Sequence, residues 1–224
     1  MENGTIEHGD YSFLNQESVE KHFADININL LSGRHIDNSN YALFTVLEEY
    51  EIYWKEFYKR LYKLNFITDV FDGRVYYYLD FFESGKGKLS ENTRHRGLTE
   101  MQTITGLLLL DMYYQRYFDD PKIISWSDIK REIDDGDNKE NYQKILFDDV
   151  RASYSVDEWQ RVENKFKSAI NTFDKIGWID KRSGQNEELL FEIRPAIHRM
   201  AKLYETELQD FDQFTKNLRD NGQL

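Results

Sequence analysis

Residues 41–79 read YALFTVLEEYEIYWKEFYKRLYKLNFITDVFDGRVYYYL, a helical pattern that leads directly into a hairpin pattern. In its first part the apolar residues recur at alternating steps of four and three, which is the spacing of one buried helical face. These residues are Leu43, Leu47, Tyr50, Trp54, Phe57, Leu61 and Leu64. We therefore predict one continuous helix over residues 41–64.

A β-hairpin is predicted directly after this helix. Residues 66–71 and 75–79 are rich in β-branched and aromatic side chains, and Asp72-Gly73 between them is a tight-turn signal. Before the central helix, residues 17–31 predict another helix, for which Gly33 is a suitable C-cap. The first half of the chain thus predicts helices followed by a two-stranded hairpin.

The second half repeats this order. Thr99 and Gln102 have capping-box spacing and open an apolar helix that runs to about residue 118 and should be buried. Shorter helices are predicted at residues 127–133 and up to about residue 152. Ser155 and Glu158 form a second capping box, and the helix that they open stops at Gly177.

A second hairpin is predicted after Gly177, with strands at residues 178–180 and 189–193 around a polar tip at 181–186. The fold class is therefore mainly α with small β-hairpins (α+β). Helices followed by a hairpin are the order of a winged-helix domain, although unrelated α+β domains share it.

Residues 83–98 contain three glycines and few apolar residues, which predicts a basic linker. We predict an N-terminal domain with its leading segment at 1–82, the linker at 83–98, a C-terminal domain at 99–195, and a C-terminal helix and tail at 196–224. The linker cations, which could meet DNA or an acidic partner but are more simply part of a solvated loop, are Lys86, Lys88, Arg94 and Arg96.

The composition excludes several function classes. The 224 residues include no Cys, so thiolate catalysis, disulfides and Cys-ligated metal sites are excluded. A net charge of −12 argues against a free-standing nucleic-acid binder, because phosphate binding requires Lys and Arg. Residues 1–11 are polar and acidic, and the longest aliphatic run, 107–110, is too short to cross a membrane. We predict a soluble, cytoplasmic protein.

Catalytic and metal-binding patterns are weak. The five histidines are scattered, and none belongs to a His-Glu-x-x-His pattern. Residues 85–88 lack the glycine spacing of a phosphate loop, and residues 134–137 lack the ligand spacing of a calcium loop. We therefore predict no enzymatic activity, no cofactor and no metal site.

Residues 30–36, which read LLSGRHI, and the aromatic strand at residues 76–79 resemble the N-terminal signature of the MukE and MksE family. Residues 165–170 and Ile176-Gly177-Trp178 resemble the family's last helix and the entry to its second wing. The resemblance covers roughly residues 17–195.

This resemblance implies tandem winged-helix domains in a non-enzymatic, nucleoid-associated subunit of a bacterial condensin. The implied partners are a MukF-like kleisin, a MukB-like SMC-type ATPase, a second copy of the chain in a homodimer, and DNA, which is bound without sequence preference and mainly within the complex. The implied role is chromosome organisation and segregation. An anti-plasmid defence complex and a winged-helix transcription regulator remain alternatives.

The resemblance also places DNA contact on the second winged helix, where the candidate residues are Arg161, Lys165, Lys167, Lys175, Lys181 and Arg182. Family helices carry several arginines near the end, whereas this chain has Thr172, Phe173, Asp174 and Lys175, so we expect weak DNA binding by the protein alone.

The residues themselves give a related hypothesis. Steps of four and three place one polar ridge on the helix that begins after Ser155, and such a ridge could lie along phosphates or be an ordinary solvated face. Its members are Arg161, Lys165, Ser168, Thr172 and Lys175.

Two further segments are candidate partner-facing surfaces. Residues 119–149 hold ten Asp and Glu against five Lys and Arg, which indicates a surface that repels DNA and faces a partner. Arg34 and His35 follow the end of a helix. They could face a partner, but we favour a structural role in which they cap the helix carbonyls.

Overall fold

The computed structural model describes residues 11–82, 97–183 and 189–205. The chain divides into two compact units, Met1–Arg96, here called the N-unit, and Gly97–Leu224, the C-unit. In each unit the described residues form helices around one three-stranded antiparallel sheet. The predicted α+β class is confirmed.

The N-unit follows the order helix, strand, helix, helix, strand, strand. Its described elements are α1 (Glu17–Leu31), β1 (Ile36–Asp37), α2 (Tyr41–Glu49), α3 (Glu51–Phe57), β2 (Leu64–Phe71) and β3 (Arg74–Phe81). The sheet order is β1-β3-β2, so the final strand of the hairpin lies in the centre. This is the arrangement of a winged helix.

The C-unit has the same order with one more helix inserted. Its described elements are α4 (Glu100–Gln115), β4 (Ile123–Ser125), α5 (Trp126–Asp135), α6 (Lys139–Phe147), α7 (Val156–Lys175), β5 (Ile179–Arg182), β6 (Leu190–Ile193) and α8 (Arg199–Leu203). The sheet order β4-β6-β5 again places the last strand of the hairpin in the centre.

Local signals in the N-unit act as predicted. Helix α1 ends where Gly33 adopts φ 85°, and the amides of Gly33 and Arg34 donate to the carbonyls of Leu30 and Asn29, at 3.0 and 2.9 Å. The β2-β3 turn has positive φ at both Asp72 (53°) and Gly73 (68°), which is the geometry of a two-residue hairpin turn.

The predicted continuous helix over residues 41–64 is wrong. The helix breaks at Tyr50, where φ is −112° and ψ is 26°, and α3 passes at Phe57 into a π-helical turn, Tyr58–Tyr62. Lys63 then turns left-handed with φ 57°, and Leu64 already belongs to β2.

The burial of aromatic residues explains why the chain does not continue as a straight α-helix after Phe57. Successive residues of a straight helix point about 100° apart, yet both Phe57 and Tyr58 are buried. The Tyr58 hydroxyl donates to Asn27 Oδ1 of α1 at 3.1 Å, which fixes the direction of this ring. The predicted apolar position Leu61 is instead 57% exposed.

The third strand of each sheet was not predicted. Strands β1 and β4 have only two and three residues, which is too short for an alternating pattern to be recognised. They pair with β3 and β6, so both predicted hairpins are parts of three-stranded sheets.

Helix boundaries in the C-unit differ by a few residues from those predicted. Helix α4 ends at Gln115, α5 begins at Trp126 behind a Ser125–Asp128 capping box, and α6 ends at Phe147 because Asp148 is left-handed with φ 63°. Residues 83–96 of the predicted linker, 184–186 of the predicted wing tip and the part of the predicted final helix after residue 205 lie outside the described residues. The start of that final helix, predicted at residue 196, is a 3-10 helix at Pro195–His198 that leads into α8.

The core of the C-unit is built around α4. This helix is apolar on nearly all sides and is buried from Thr103 to Leu110, as its sequence predicts. It packs against α7 and α8. A Cβ atom at Gly106 would lie 2.8 Å from Met200 Cε, so the absence of a side chain at Gly106 allows α8 to approach.

Candidate functional site

Helix α7 carries the candidate nucleic-acid surface of the C-unit. Ser155 Oγ accepts from the Glu158 amide at 3.3 Å, and Glu158 Oε2 accepts from the Ser155 amide at 2.8 Å, so the predicted capping box is present. The residues that the helix buries are Trp159, Val162, Phe166, Ala169, Ile170 and Phe173. Their burial determines which side chains of α7 face solvent.

The start of α7 is acidic. Hydrogen bonds from the Arg151 guanidinium and from the Ser155 amide and hydroxyl lower the pKa of Glu158 to about 2. The ionised carboxylate complements the positive end of the helix dipole. The ionised carboxylate of Glu158 therefore occupies the N-terminal end of α7.

The predicted polar ridge is only partly intact. Arg161, Lys165, Ser168 and Lys175 are exposed, as the ridge requires. Thr172 is half-buried, and its Oγ1 accepts a hydrogen bond from Gln102 Nε2 of α4 at 3.0 Å. The face of α7 at Thr172 is therefore turned towards α4.

Two residues that the sequence reasoning missed complete the solvent-facing side. Asn164 and Asn171 are exposed, and they lie between the exposed cations at steps of three and four. We call the resulting set the outward row, which consists of Arg161, Asn164, Ser168, Asn171 and Lys175. The three–four spacing around Asn164 and Asn171 was the available signal, but the predicted ridge contained charged and hydroxyl side chains and no amides.

Lys165 and Lys167 lie beside the outward row and differ in their surroundings. Lys167 Nζ is 2.6 Å from Glu163 Oε1, so its charge is locally balanced. Lys165 is exposed on the other flank of the row. Of these two lysines, Lys165 is the better candidate for a phosphate contact.

The two predicted wing cations are engaged with other residues of the C-unit. Lys181 Nζ donates to Asn171 Oδ1 at 2.8 Å, and the Lys181 amide donates to Asp174 Oδ1 at 3.2 Å. These contacts join β5 to α7. Lys181 therefore extends the outward row onto the wing.

Arg182 belongs to a network of charges across the sheet. Its guanidinium pairs with the buried carboxylate of Glu192 and lies 3.6 Å from Asp180. Arg194 bonds to both acids, at 2.9 Å each. Two arginines thus face two acids, so Arg182 contributes little net charge to the surface.

His35 and the four linker cations were the other candidate residues. His35 is buried and stacks on Tyr78 with ring centroids 4.8 Å apart, which supports a structural role. Lys86, Lys88, Arg94 and Arg96 lie outside the described residues.

In the acidic stretch and on the neighbouring helix α4, carboxylates crowd together. Burial, together with the nearby Glu132 and Asp137, raises the pKa of Asp111. Across residues 11–82, 97–183 and 189–205, no group of three or more His, Cys, Asp or Glu residues could hold a metal ion. Within the same residues, no helix is both long and apolar enough to cross a membrane.

Comparison with known proteins gives one family. The sequence profile of the family described as condensin complex protein MksE matches residues 21–205, which is most of the chain and includes parts of both units. No curated protein matches the chain.

Proposed function

The chain belongs to the MksE family of condensin complex proteins, and from that premise we propose that it binds a kleisin and helps an SMC-type ATPase engage DNA. As a family member it is an accessory subunit of a condensin complex. The observation that carries the proposal is the family match across residues 21–205. The proposed role is non-enzymatic and serves chromosome organisation and segregation.

The form of the two units supports a role in assembly. Each unit has the winged-helix order, and each exposes large apolar side chains, among them Ile52 in the N-unit and Phe118 in the C-unit. Where exposed apolar side chains lie together, as the rings of Tyr117 and Phe118 do with centroids 5.1 Å apart, they form the kind of patch that marks a protein interface. We propose that the chain forms a homodimer that binds a MukF-like kleisin and works with a MukB-like ATPase.

The outward row supports a weak, sequence-independent contact with DNA. Arg161 and Lys175 supply positive charge, Lys165 flanks them, and the amide and hydroxyl groups between them can hydrogen-bond to phosphates. Arg182 is balanced by acids, and the net charge of the chain is −12. DNA contact is therefore proposed to occur mainly within the assembled complex, in the cytoplasm and at the nucleoid.

Binding to the kleisin is the first test. The full-length chain is co-expressed with the kleisin-type and SMC-type subunits of its own organism, and the complex is purified through a tag on the kleisin. The proposal expects the chain to co-purify at a fixed ratio that persists at high salt. A chain that binds neither subunit would overturn it.

The DNA contact has a separate test in the whole complex. Lys165→Glu should weaken retention of non-specific duplex DNA and reduce the dependence of binding on salt, by about one unit of the logarithmic slope. The matched control is Lys144→Glu, which reverses another exposed lysine of the C-unit, on α6. Equal retention by the wild-type and Lys165→Glu complexes would remove α7 from the DNA surface.

Two further experiments separate the alternative functions. A winged-helix transcription regulator would bind a defined site as the isolated chain, with several kcal/mol of preference over random DNA. The acidic composition counts against that behaviour. An anti-plasmid complex would keep the same subunit contacts, and gene deletion would then raise plasmid retention without disturbing chromosome segregation.

A further inference from the structure

Strand β2 differs from the other edge strands in the described part of the chain. Proteins commonly protect the edge of a sheet by keeping the edge strand short or by placing charged side chains on it. Strand β1 has two residues, β4 has three, and β5 has four, of which three are charged. Strand β2 has eight residues, and Asp69 is its only charged residue. A long edge of this kind is suited to pair with a further strand.

The backbone of β2 has hydrogen-bonding groups on its open side. In a two-residue hairpin the residues that flank the turn exchange hydrogen bonds, and bonded and non-bonded pairs then alternate along the strands. The flanking pair here is Phe71 and Arg74. By this alternation Phe66 and Thr68 direct their amides and carbonyls away from β3, and no other backbone group in the described residues bonds to them. The alternation agrees with Tyr77, which lies opposite Thr68 and pairs with β1 on its other side.

The described residues of β2 carry no feature that would keep a further strand away. The pairing with β3 is continuous from Leu64 to Phe71, so no bulge turns the edge aside, and the strand contains no Pro and no Lys. The Asp69 carboxylate accepts hydrogen bonds from the Tyr76 hydroxyl at 2.7 Å and from the Val70 amide at 2.9 Å. The one charge of the strand is therefore bound to donors of the N-unit itself.

The sequence of β2 is complementary to itself when two copies run antiparallel around Ile67. In this register Ile67 meets the partner's Ile67, and Asn65 lies opposite the partner's Asp69. The Asn65 amide can donate to that carboxylate, which has lone pairs beyond the two hydrogen bonds already formed. The remaining pairs are Leu64 with Val70 and Phe66 with Thr68. No like charges lie opposite one another, which favours this register.

The neighbouring symmetric registers fit less well. If the two-fold axis lay at Phe66, Ile67 would be opposite Asn65, and if it lay at Thr68, Ile67 would be opposite Asp69. Either shift places an apolar side chain against a polar one. Since the backbone groups could pair in all three registers, the side chains select the one around Ile67.

We propose that the β2 edges of two copies pair antiparallel about a two-fold axis at Ile67, so that the two N-unit sheets become one continuous sheet. This inference rests on the proposed homodimer and assigns its surface. The same edge of both copies is used in the contact, so the assembly closes at two copies. The contact lies on the N-unit and leaves the outward row of α7 on each copy unoccupied.

Disulfide crosslinking of the full-length chain tests the register, because the natural sequence has no Cys. At the proposed axis the two Ile67 Cα atoms form a non-hydrogen-bonded pair about 4.5 Å apart, which is within reach of a disulfide. Ile67→Cys should therefore form a covalent dimer under mild oxidation. A non-reducing gel detects this dimer, and a reductant should return it to the monomer.

The matched control for crosslinking is Val70→Cys. Val70 lies on the same strand and is 58% exposed, so its thiol would be at least as accessible. In the proposed register Val70 is opposite Leu64, which places the two Val70 Cα atoms about 20 Å apart. Val70→Cys should crosslink far more slowly than Ile67→Cys, and equal or faster crosslinking of Val70→Cys would overturn the proposed pairing.

Sedimentation of the full-length chain measures the dimer without a crosslink. Ile67→Lys places two like charges at the axis and should raise the dissociation constant of the dimer by about tenfold or more. The control is Val156→Lys, which adds the same charge at a residue of the C-unit that is 83% exposed, and its dimer should equal that of the wild type. Circular dichroism verifies that Ile67→Lys is folded, and if it is not, the crosslinking result decides.

The outcomes separate this inference from the proposed function. A wild-type chain that stays monomeric overturns the homodimer and the edge pairing, while binding to the kleisin is judged by its own experiment. A dimer that persists in folded Ile67→Lys, or Ile67→Cys that does not crosslink, overturns the edge pairing alone. Loss of kleisin binding in Ile67→Lys with the dimer intact also overturns it, because the edge would then bind an extended segment of that subunit. A chain that dimerises and crosslinks but binds neither subunit overturns the proposed function instead.

Discussion

The N-unit and the C-unit have the same winged-helix order but hold their helices in different ways. In the C-unit, α4, α5 and α7 each begin with a capping box. In the described part of the N-unit, no side-chain hydrogen bond caps α1 or α3. Helix α2 does have a side-chain cap, in which Asn40 Oδ1 accepts from the Leu43 amide at 3.5 Å. Packed aromatic rings hold α1 and α3 together.

The aromatic cluster of the N-unit is centred on Trp54, which is fully buried. Its ring lies 5.1 Å from that of Phe13, 5.9 Å from that of Phe23 and 5.6 Å from that of Phe57. The contacts with Phe13 and Phe23 join segments that are far apart in the chain, whereas Phe57 lies on the same helix as Trp54. The comparison indicates that one topology can rest on local hydrogen bonds in one unit and on distant packing in another.

The largest expected effect comes from breaking the aromatic cluster. Trp54→Ala should destabilise the N-unit by about 3–5 kcal/mol, because it removes a buried ring and leaves a cavity. Hydrogen-exchange mass spectrometry should show lost protection mainly in residues 11–82.

The control for Trp54 is Ile52→Ala, two residues away, since Ile52 is 79% exposed. Ile52→Ala should change the free energy of unfolding by no more than about 0.5 kcal/mol. If Trp54→Ala reduced protection equally across residues 97–183, the idea that the cluster supports the N-unit in particular would be wrong.

A smaller effect tests the capping of the C-unit. Ser155→Ala removes the side chain that accepts from the Glu158 amide and should cost about 1 kcal/mol of unfolding free energy in urea denaturation. The matched variant is Gln16→Ala, at the N-cap of α1, where no side-chain hydrogen bond exists to be lost. Equal losses for the two variants would contradict the contrast between the units.

The same capping box predicts a pH dependence. The folded chain lowers the pKa of Glu158 to about 2, so the folded state favours the ionised carboxylate. The resulting stabilisation is present above the ordinary glutamate pKa of about 4.5 and is lost as the pH falls towards about 2.

Glu158→Gln should therefore be less stable than the wild type near neutral pH, and the difference should shrink as the pH falls through that range. Urea denaturation from pH 6 to pH 2 measures this difference in the free energy of unfolding. The control is Glu140→Gln, an exposed glutamate in the first turn of α6. A difference that stays constant with pH would disprove the role of the charge.

The smallest effect concerns the crowded acids of the C-unit. Burial, Glu132 and Asp137 raise the pKa of Asp111, so its ionisation at neutral pH opposes folding. Asp111→Asn should raise Tm slightly at pH 7 and have less effect near pH 3. Asp157→Asn, which removes a favourable acid from the first turn of α7, should not raise Tm.

Prediction from the sequence was more successful where the signals are local. The capping boxes at Thr99 and Ser155 and the turn at Asp72-Gly73 were all predicted and are confirmed. The break at Tyr50 was missed, because the apolar spacing continues through it without interruption. The predicted DNA-binding residues stay a prediction.

Prediction of the candidate surface on α7 also succeeded for local features and failed for contacts between distant residues. Spacing predicted that Arg161 and Lys175 share one side of α7, which is a property of the helix itself. That Gln102 engages Thr172 and that Glu192 balances Arg182 could not be read from spacing, since these partners lie 70 and 10 residues apart.

The amino-acid sequence alone determined the fold class, the starts of α1, α4 and α7, the tight hairpin turn and the resemblance to the family. Each of these depends on residues within a few positions of one another, where hydrogen bonding and backbone preference act locally. Only the tertiary structure decided where the central helix of the N-unit breaks, which short strands complete the two sheets and which cations are already paired. Those features depend on packing and charge contacts between distant segments, and such contacts exist only once the chain has folded.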